Sequence, residues 1–140
     1  MEYIFLKIWQ LAKPYYEKGR VYDIDQVEWI MGWGEKLAEV VGADKKILMP
    51  LIILHDVGYC FVDNKNPPIK DKVSKKLHAV EGAKIARKIL EQVGYDRKLT
   101  EQIVQGVLEH DNWAFGDDEP YKNCKRCHLH VGRIEGLYEN

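Results

Sequence analysis

The feature that most limits what this chain can become is the run Leu48–Tyr59. It is apolar through Met49, Leu51, Ile52, Ile53 and Leu54, then places His55 and Asp56 side by side, and then breaks at Val57-Gly58-Tyr59. Read as a helix, Leu48, Leu51 or Ile52, and His55 recur at the three-to-four residue spacing of one face, with Asp56 one turn after Ile52. Both polar groups therefore point toward the core. A buried carboxylate without a partner costs on the order of several kcal/mol, so Asp56 requires a cation, a metal or several donors. A lone buried histidine is ordinarily satisfied by a backbone carbonyl. Beside Asp56, His55 supplies a neutral nitrogen next to an anionic oxygen, a ligand pair that suits first-row divalent ions.

The remaining chain reads as further helices that can bury this run. Ile4, Phe5, Ile8, Leu11, Ala12 and Tyr15 keep a helical period up to Lys18, with Pro14 expected to kink or bound the helix and Gly19 to stop it. Asp23 or Asp25 is suited to cap a second helix through Val27, Ile30, Met31, Leu37, Ala38 and Val41, ending at Gly42. Asp44 caps the third, where Pro50 is expected to be tolerated only in or just after the first turn. Val62 to Lys72 has the composition of a surface loop beside the candidate site, placed as a lid would be. A fourth helix is predicted from near Ser74 to Gln92, with His78, Gly82, Ile85 and Ile89 in one stripe. A fifth follows Leu99-Thr100, carries Ile103, Val107 and His110 in a row, and ends in a second doublet, His110-Asp111. With no repeat and no strand alternation, the fold class is all-α, a bundle of about five or six helices forming a single domain over residues 1–140, with 121–140 the least legible part.

Composition narrows the function classes. The formal net charge is -1 with 31% charged residues, so no global field recruits a nucleic-acid polymer or an acidic membrane, and the expected ligand is small. No apolar run is long enough to span a bilayer, and three cysteines, an odd number, fit a reducing compartment; a cytoplasmic address is the expectation. Cys124-Lys125-Arg126-Cys127-His128 has the spacing of a c-type haem attachment, yet no export signal accompanies it, and the expectation is a free-thiol surface segment.

His55-Asp56 after an apolar helix, His78 in His-Ala-Val-Glu-Gly-Ala at the start of the next long helix, and His110-Asp111 ending the one after resemble the HD-domain superfamily of metal-dependent phosphohydrolases. The similarity runs from about Lys18 to Asp111. It implies an orthogonal helical bundle holding one or two divalent ions (Mn, Fe, Co, Ni, Zn or Mg) and hydrolysing a phosphate ester, commonly of a nucleotide. By that resemblance His55 and Asp56 are metal ligands, Asp56 bridges two ions when two are present, His78 and His110 serve the second, and Asp111 is a possible addition. Asp56, His78 and His110 would form the catalytic group.

Two departures accompany the resemblance. Gln26 stands where the family has its first metal-binding histidine, and a neutral amide is a weak ligand. No aspartate follows Asp118, leaving Glu135 as the acidic residue in reach of the family's last ligand position. Tyr59 stands about where some two-metal members carry a lysine, so Lys75 and Lys76 at the start of the fourth helix are the candidate phosphate contacts, and Tyr59 a candidate ligand contact, alongside the plain alternative of a solvated face. Trp113 and Phe115 are suited to line a pocket or simply to fill the core. Three classes follow in order: an active phosphohydrolase, a binding module of the same fold that has lost turnover, and a structural bundle. The expected partner is a small phosphorylated ligand, and a homodimer is compatible with so small a bundle.

Overall fold

The third helix is where the physics of the chain is most visible. Every residue from Ile47 to Leu54 is buried, so this segment is apolar on all sides and has to be surrounded. In the computed structural model, which describes residues 1–62 and 72–110 except for the side chains of 72–75, it is α3 (Lys45–Leu54), the central helix. Around it lie α1 (Tyr3–Lys18), α2 (Asp23–Val41) and α5 (Arg97–Glu109), while α4 (Lys72–Gln92) packs on α5 and on a short 3-10 segment, Val57–Phe61. The architecture is all-helical, and among the described residues no helix is long and apolar enough to cross a membrane.

Local chemistry sets the boundaries. Asp44 Oδ1 accepts from the Lys46 amide at 2.9 Å, and Asp96 Oδ1 accepts from the Leu99 amide at 2.9 Å, each satisfying a donor that the first helical turn leaves open. The Asp96 cap starts α5 at Arg97, ahead of the start expected after Leu99-Thr100. Helix α2 begins at Asp23 without a side-chain cap; instead Asp23 is buried and accepts from Arg20. Gly42 ends α2 with φ 70°, and the Ala43 amide reaches back to Ala38 O at 2.9 Å, a closure that a left-handed residue makes possible.

Of the two expectations for Pro14, the boundary is excluded, since α1 runs through it to Lys18, while Pro50 is the sixth residue of α3, beyond the first turn. Pro50 has no amide hydrogen to give to the carbonyl four residues back, which belongs to Lys46. The Tyr95 hydroxyl donates to Lys46 O at 2.6 Å, supplying the bond that proline cannot. At the other end of α3, the Tyr16 hydroxyl donates to Ile53 O at 2.7 Å, satisfying one of the carbonyls a helix end leaves bare and tying α1 to the residues next to His55.

Candidate metal centre

His55 and Asp56 fall just past the last turn of α3. The His55 amide still bonds Leu51 O at 3.0 Å, whereas Asp56 leaves helical geometry with φ -112° and ψ 12° before the 3-10 segment begins. That turn directs the carboxylate toward His78 of α4 and toward His110, which caps the C-terminal end of α5. All four residues are nearly sealed from solvent, at 1% (His55), 9% (Asp56), 0% (His78) and 5% (His110) exposure.

Residues 54 apart in sequence meet there. His110 Nε2 is 3.1 Å from Asp56 Oδ1, His78 Nε2 is 3.7 Å from the same oxygen, and the two imidazole nitrogens are 3.3 Å apart. His55 Nε2 approaches the other carboxylate oxygen, Oδ2, at 3.3 Å. Asp56 thus presents one oxygen to His55 and the other to the His78–His110 pair.

The ring protons decide what this cluster can hold. His55 Nδ1 lies 2.7 Å from Ile52 O and His110 Nδ1 lies 2.6 Å from Val107 O. A carbonyl oxygen only accepts, so each Nδ1 carries a hydrogen and donates it, leaving Nε2 as a bare lone pair in the neutral ring. Lone pairs facing carboxylate oxygens at such distances repel unless a positive charge lies between them, either ring protons or a metal ion. Bonds of about 2.0–2.2 Å to a common ion put neighbouring ligand atoms about 3.0–3.5 Å apart, close to the spacings here. Asp56, His78 and His110 together form a group whose ligand atoms all lie within 4.8 Å of one another, so the residues fit a divalent ion.

Burial pushes the Asp56 carboxyl up, but positive charge and ring protons on His55, followed by His110, more than offset it and hold the group well below the usual carboxylate range. Backing the triad, the Tyr59 ring lies flat on the His78 ring, centroids 4.1 Å apart at 13°, and closes that imidazole's face to water. Glycine makes the layer possible: a Cβ on Gly58 would stand 2.7 Å from Gly82 N and 2.8 Å from the His78 carbonyl carbon, so only a bare Cα lets the 3-10 segment sit against α4.

The structure brings Asp56, His78 and His110 into one group, sets His55 beside them on the second oxygen, and places Tyr59 over His78. Gln26 is buried on α2, and Lys76 is exposed on α4. The side chain of Lys75, together with Asp111, Trp113, Phe115, Cys124, Cys127 and Glu135, lies outside the described residues, as do positions 63–71 of the predicted loop, whose last residue, Lys72, already belongs to α4. Sequence reasoning passed over Arg20. Its guanidinium carbon stands 4.2 Å from the centroid of the Tyr59 ring and 4.9 Å from that of Tyr22. No periodicity marks a residue in a turn, and the signal available was a cation directly after the helix-stopping Gly19.

A helical bundle with a buried carboxylate shared among histidines from three of its elements defines a class: an all-α protein built around a His/Asp centre whose residues fit a metal ion. The chain belongs to the HD domain family, whose model matches residues 29–134, a span that includes every member of the centre and leaves Gln26 and Glu135 just outside it. No curated protein and no solved structure matches it significantly.

Proposed function

We propose that this protein is a metal-dependent phosphohydrolase acting on a small, nucleotide-like phosphate ester. The observation that carries the reading is the divided carboxylate of Asp56, with a bare imidazole nitrogen on each side of it. His55, Asp56, His78 and His110 would hold divalent ions, which when bound would supply Lewis acidity toward phosphoryl oxygens and lower the pKa of water. The chain's own contribution is preorganisation. The backbone carbonyls of Ile52 and Val107 lock two rings in the tautomer that offers Nε2, the low pKa of Asp56 keeps both its oxygens available, and Tyr59 excludes water from one side.

A second reading, a binding module of the same fold without turnover, is favoured by Gln26, a buried amide where the family resemblance places a histidine. Elemental analysis of protein purified without chelator, on wild type and Asp56→Ala in parallel, followed by a screen of phosphate esters, separates them. One or two ions per chain lost in Asp56→Ala, with turnover in wild type, supports the hydrolase. Metal without turnover, gained on Gln26→His, supports the module. Turnover that survives Asp56→Ala refutes the assignment.

A further inference from the structure

We propose that Arg20 is the phosphate-binding cation of this centre, presenting its guanidinium fork to the phosphoryl oxygens of a phosphate monoester; the proposal rests on the phosphohydrolase reading and names the group that selects its substrate.

The backbone puts Arg20 there. Gly19 closes α1, and a Cβ on it would stand 2.7 Å from Cys60 N and 2.9 Å from the Tyr59 carbonyl carbon, so the α1–α2 turn is pressed against the 3-10 segment that leaves Asp56. From that turn the guanidinium lies over the Tyr59 ring, and Tyr59 lies over His78, so cation, phenol and imidazole stand in layers that end at the metal-binding group. The charge is positioned by Asp23, whose buried Oδ1 accepts from one terminal nitrogen at 3.0 Å. A guanidinium has five donors. Its Nε is buried with no acceptor among the described residues, although the side chain as a whole keeps 20% exposure toward solvent.

The electrostatics agree with this placement. Burial works against the charge of Arg20, but Asp56 first and Asp23 second outweigh it, and the guanidinium is held protonated more firmly than a free arginine. Asp56 is therefore close enough to act on Arg20 while belonging to the metal-binding group. A planar fork with spare donors, stacked on an aromatic face beside a metal centre, is built for bidentate contact with phosphate oxygens. Lys76, by contrast, is exposed on α4.

The test is titration of inorganic phosphate into manganese-loaded protein by calorimetry, with metal content and denaturation midpoint measured on the same samples. Arg20→Ala is expected to weaken phosphate binding roughly 10- to 100-fold with manganese stoichiometry unchanged, and Arg20→Lys, which keeps the charge and loses the fork, to recover part of that. Should Arg20→Ala fail to fold, Arg20→Lys decides alone, by a loss of several-fold at a wild-type midpoint. Phosphate affinity within twofold of wild type in a folded variant, or no phosphate binding by the manganese-loaded wild type, overturns the role of Arg20 and leaves the metal centre standing. A wild type that takes up no manganese overturns the hydrolase reading and this one with it.

Discussion

Adding one methyl group at Gly58 is expected to damage the metal centre without touching a ligand. A Cβ there meets Gly82 N at 2.7 Å and the His78 carbonyl carbon at 2.8 Å, and the His78 oxygen closer still. These are backbone atoms of α4, so no side chain can swing away, and the 3-10 segment and α4 must separate by on the order of 1 Å. Overpacking a close contact costs typically about 1–3 kcal/mol, and rigid backbone puts this site at the upper end. Replacing glycine restrains the unfolded chain and returns about 0.4–1 kcal/mol, for a net loss of about 2–3 kcal/mol. In a domain of this size that lowers Tm by about 10 °C. The same separation carries His78 away from Asp56, to which its Nε2 now stands 3.7 Å distant, so metal affinity should fall roughly 10- to 100-fold. Thermal unfolding and metal titration of Gly58→Ala read both effects. Gly32→Ala is the control, since a Cβ there meets nothing within 4 Å on the exposed side of α2, and it should stabilise by about 0.5–1 kcal/mol. A Gly58→Ala protein with the Tm and the metal affinity of wild type would refute the argument that glycine sets the spacing of these elements.

Tyr16→Phe removes the 2.7 Å bond to Ile53 O and leaves a buried carbonyl unsatisfied, which should lower stability by about 1–3 kcal/mol in chemical denaturation; a loss under 0.5 kcal/mol would show that another donor reaches that oxygen. The pH dependence divides into two windows. Because the Asp56 pKa is lowered in the folded state, the stability it contributes is fully present above its ordinary value of 3.8 and is lost only as pH falls through the lower folded value. Metal instead competes with protons for imidazole nitrogens, so ions should leave at a higher pH than the one at which Asp56 takes up a proton, while circular dichroism stays that of the folded chain. Release that coincides with unfolding below pH 4 would contradict this separation. His110→Ala, which withdraws the imidazole 3.1 Å from Asp56, should abolish at least one ion per chain in elemental analysis, and unchanged stoichiometry would remove His110 from the ligand set.

Much of this protein is legible along the chain because helices and their ends are local. Period and capping chemistry located all five described helices, and the resemblance carried by His55-Asp56, His78 and His110 named the residues that the fold assembles. The helix start at Arg97 was misplaced by only a few residues because Asp96 was not read as its cap. Pro50 was misread for a different reason. Whether a proline can sit in mid-helix depends on who satisfies the carbonyl it abandons, and that partner, Tyr95, is 49 residues from Lys46.

The same holds for the chemistry of the centre. A doublet read from the sequence states that an imidazole and a carboxylate are adjacent, but which oxygen faces which ring follows from Asp56 leaving α3 and from α4 and α5 arriving on the other side. Arg20 acquires its place only when Gly19 lets one turn press on the backbone of another. Sequence alone determined the helices and their buried faces, with the histidines and aspartate on them, since these follow from the spacing of neighbouring residues. Tertiary structure alone decided the sharing of Asp56, the stacking of Tyr59 on His78 and the approach of Arg20, because each is a contact between elements distant along the chain, made through atoms whose fit no local pattern records.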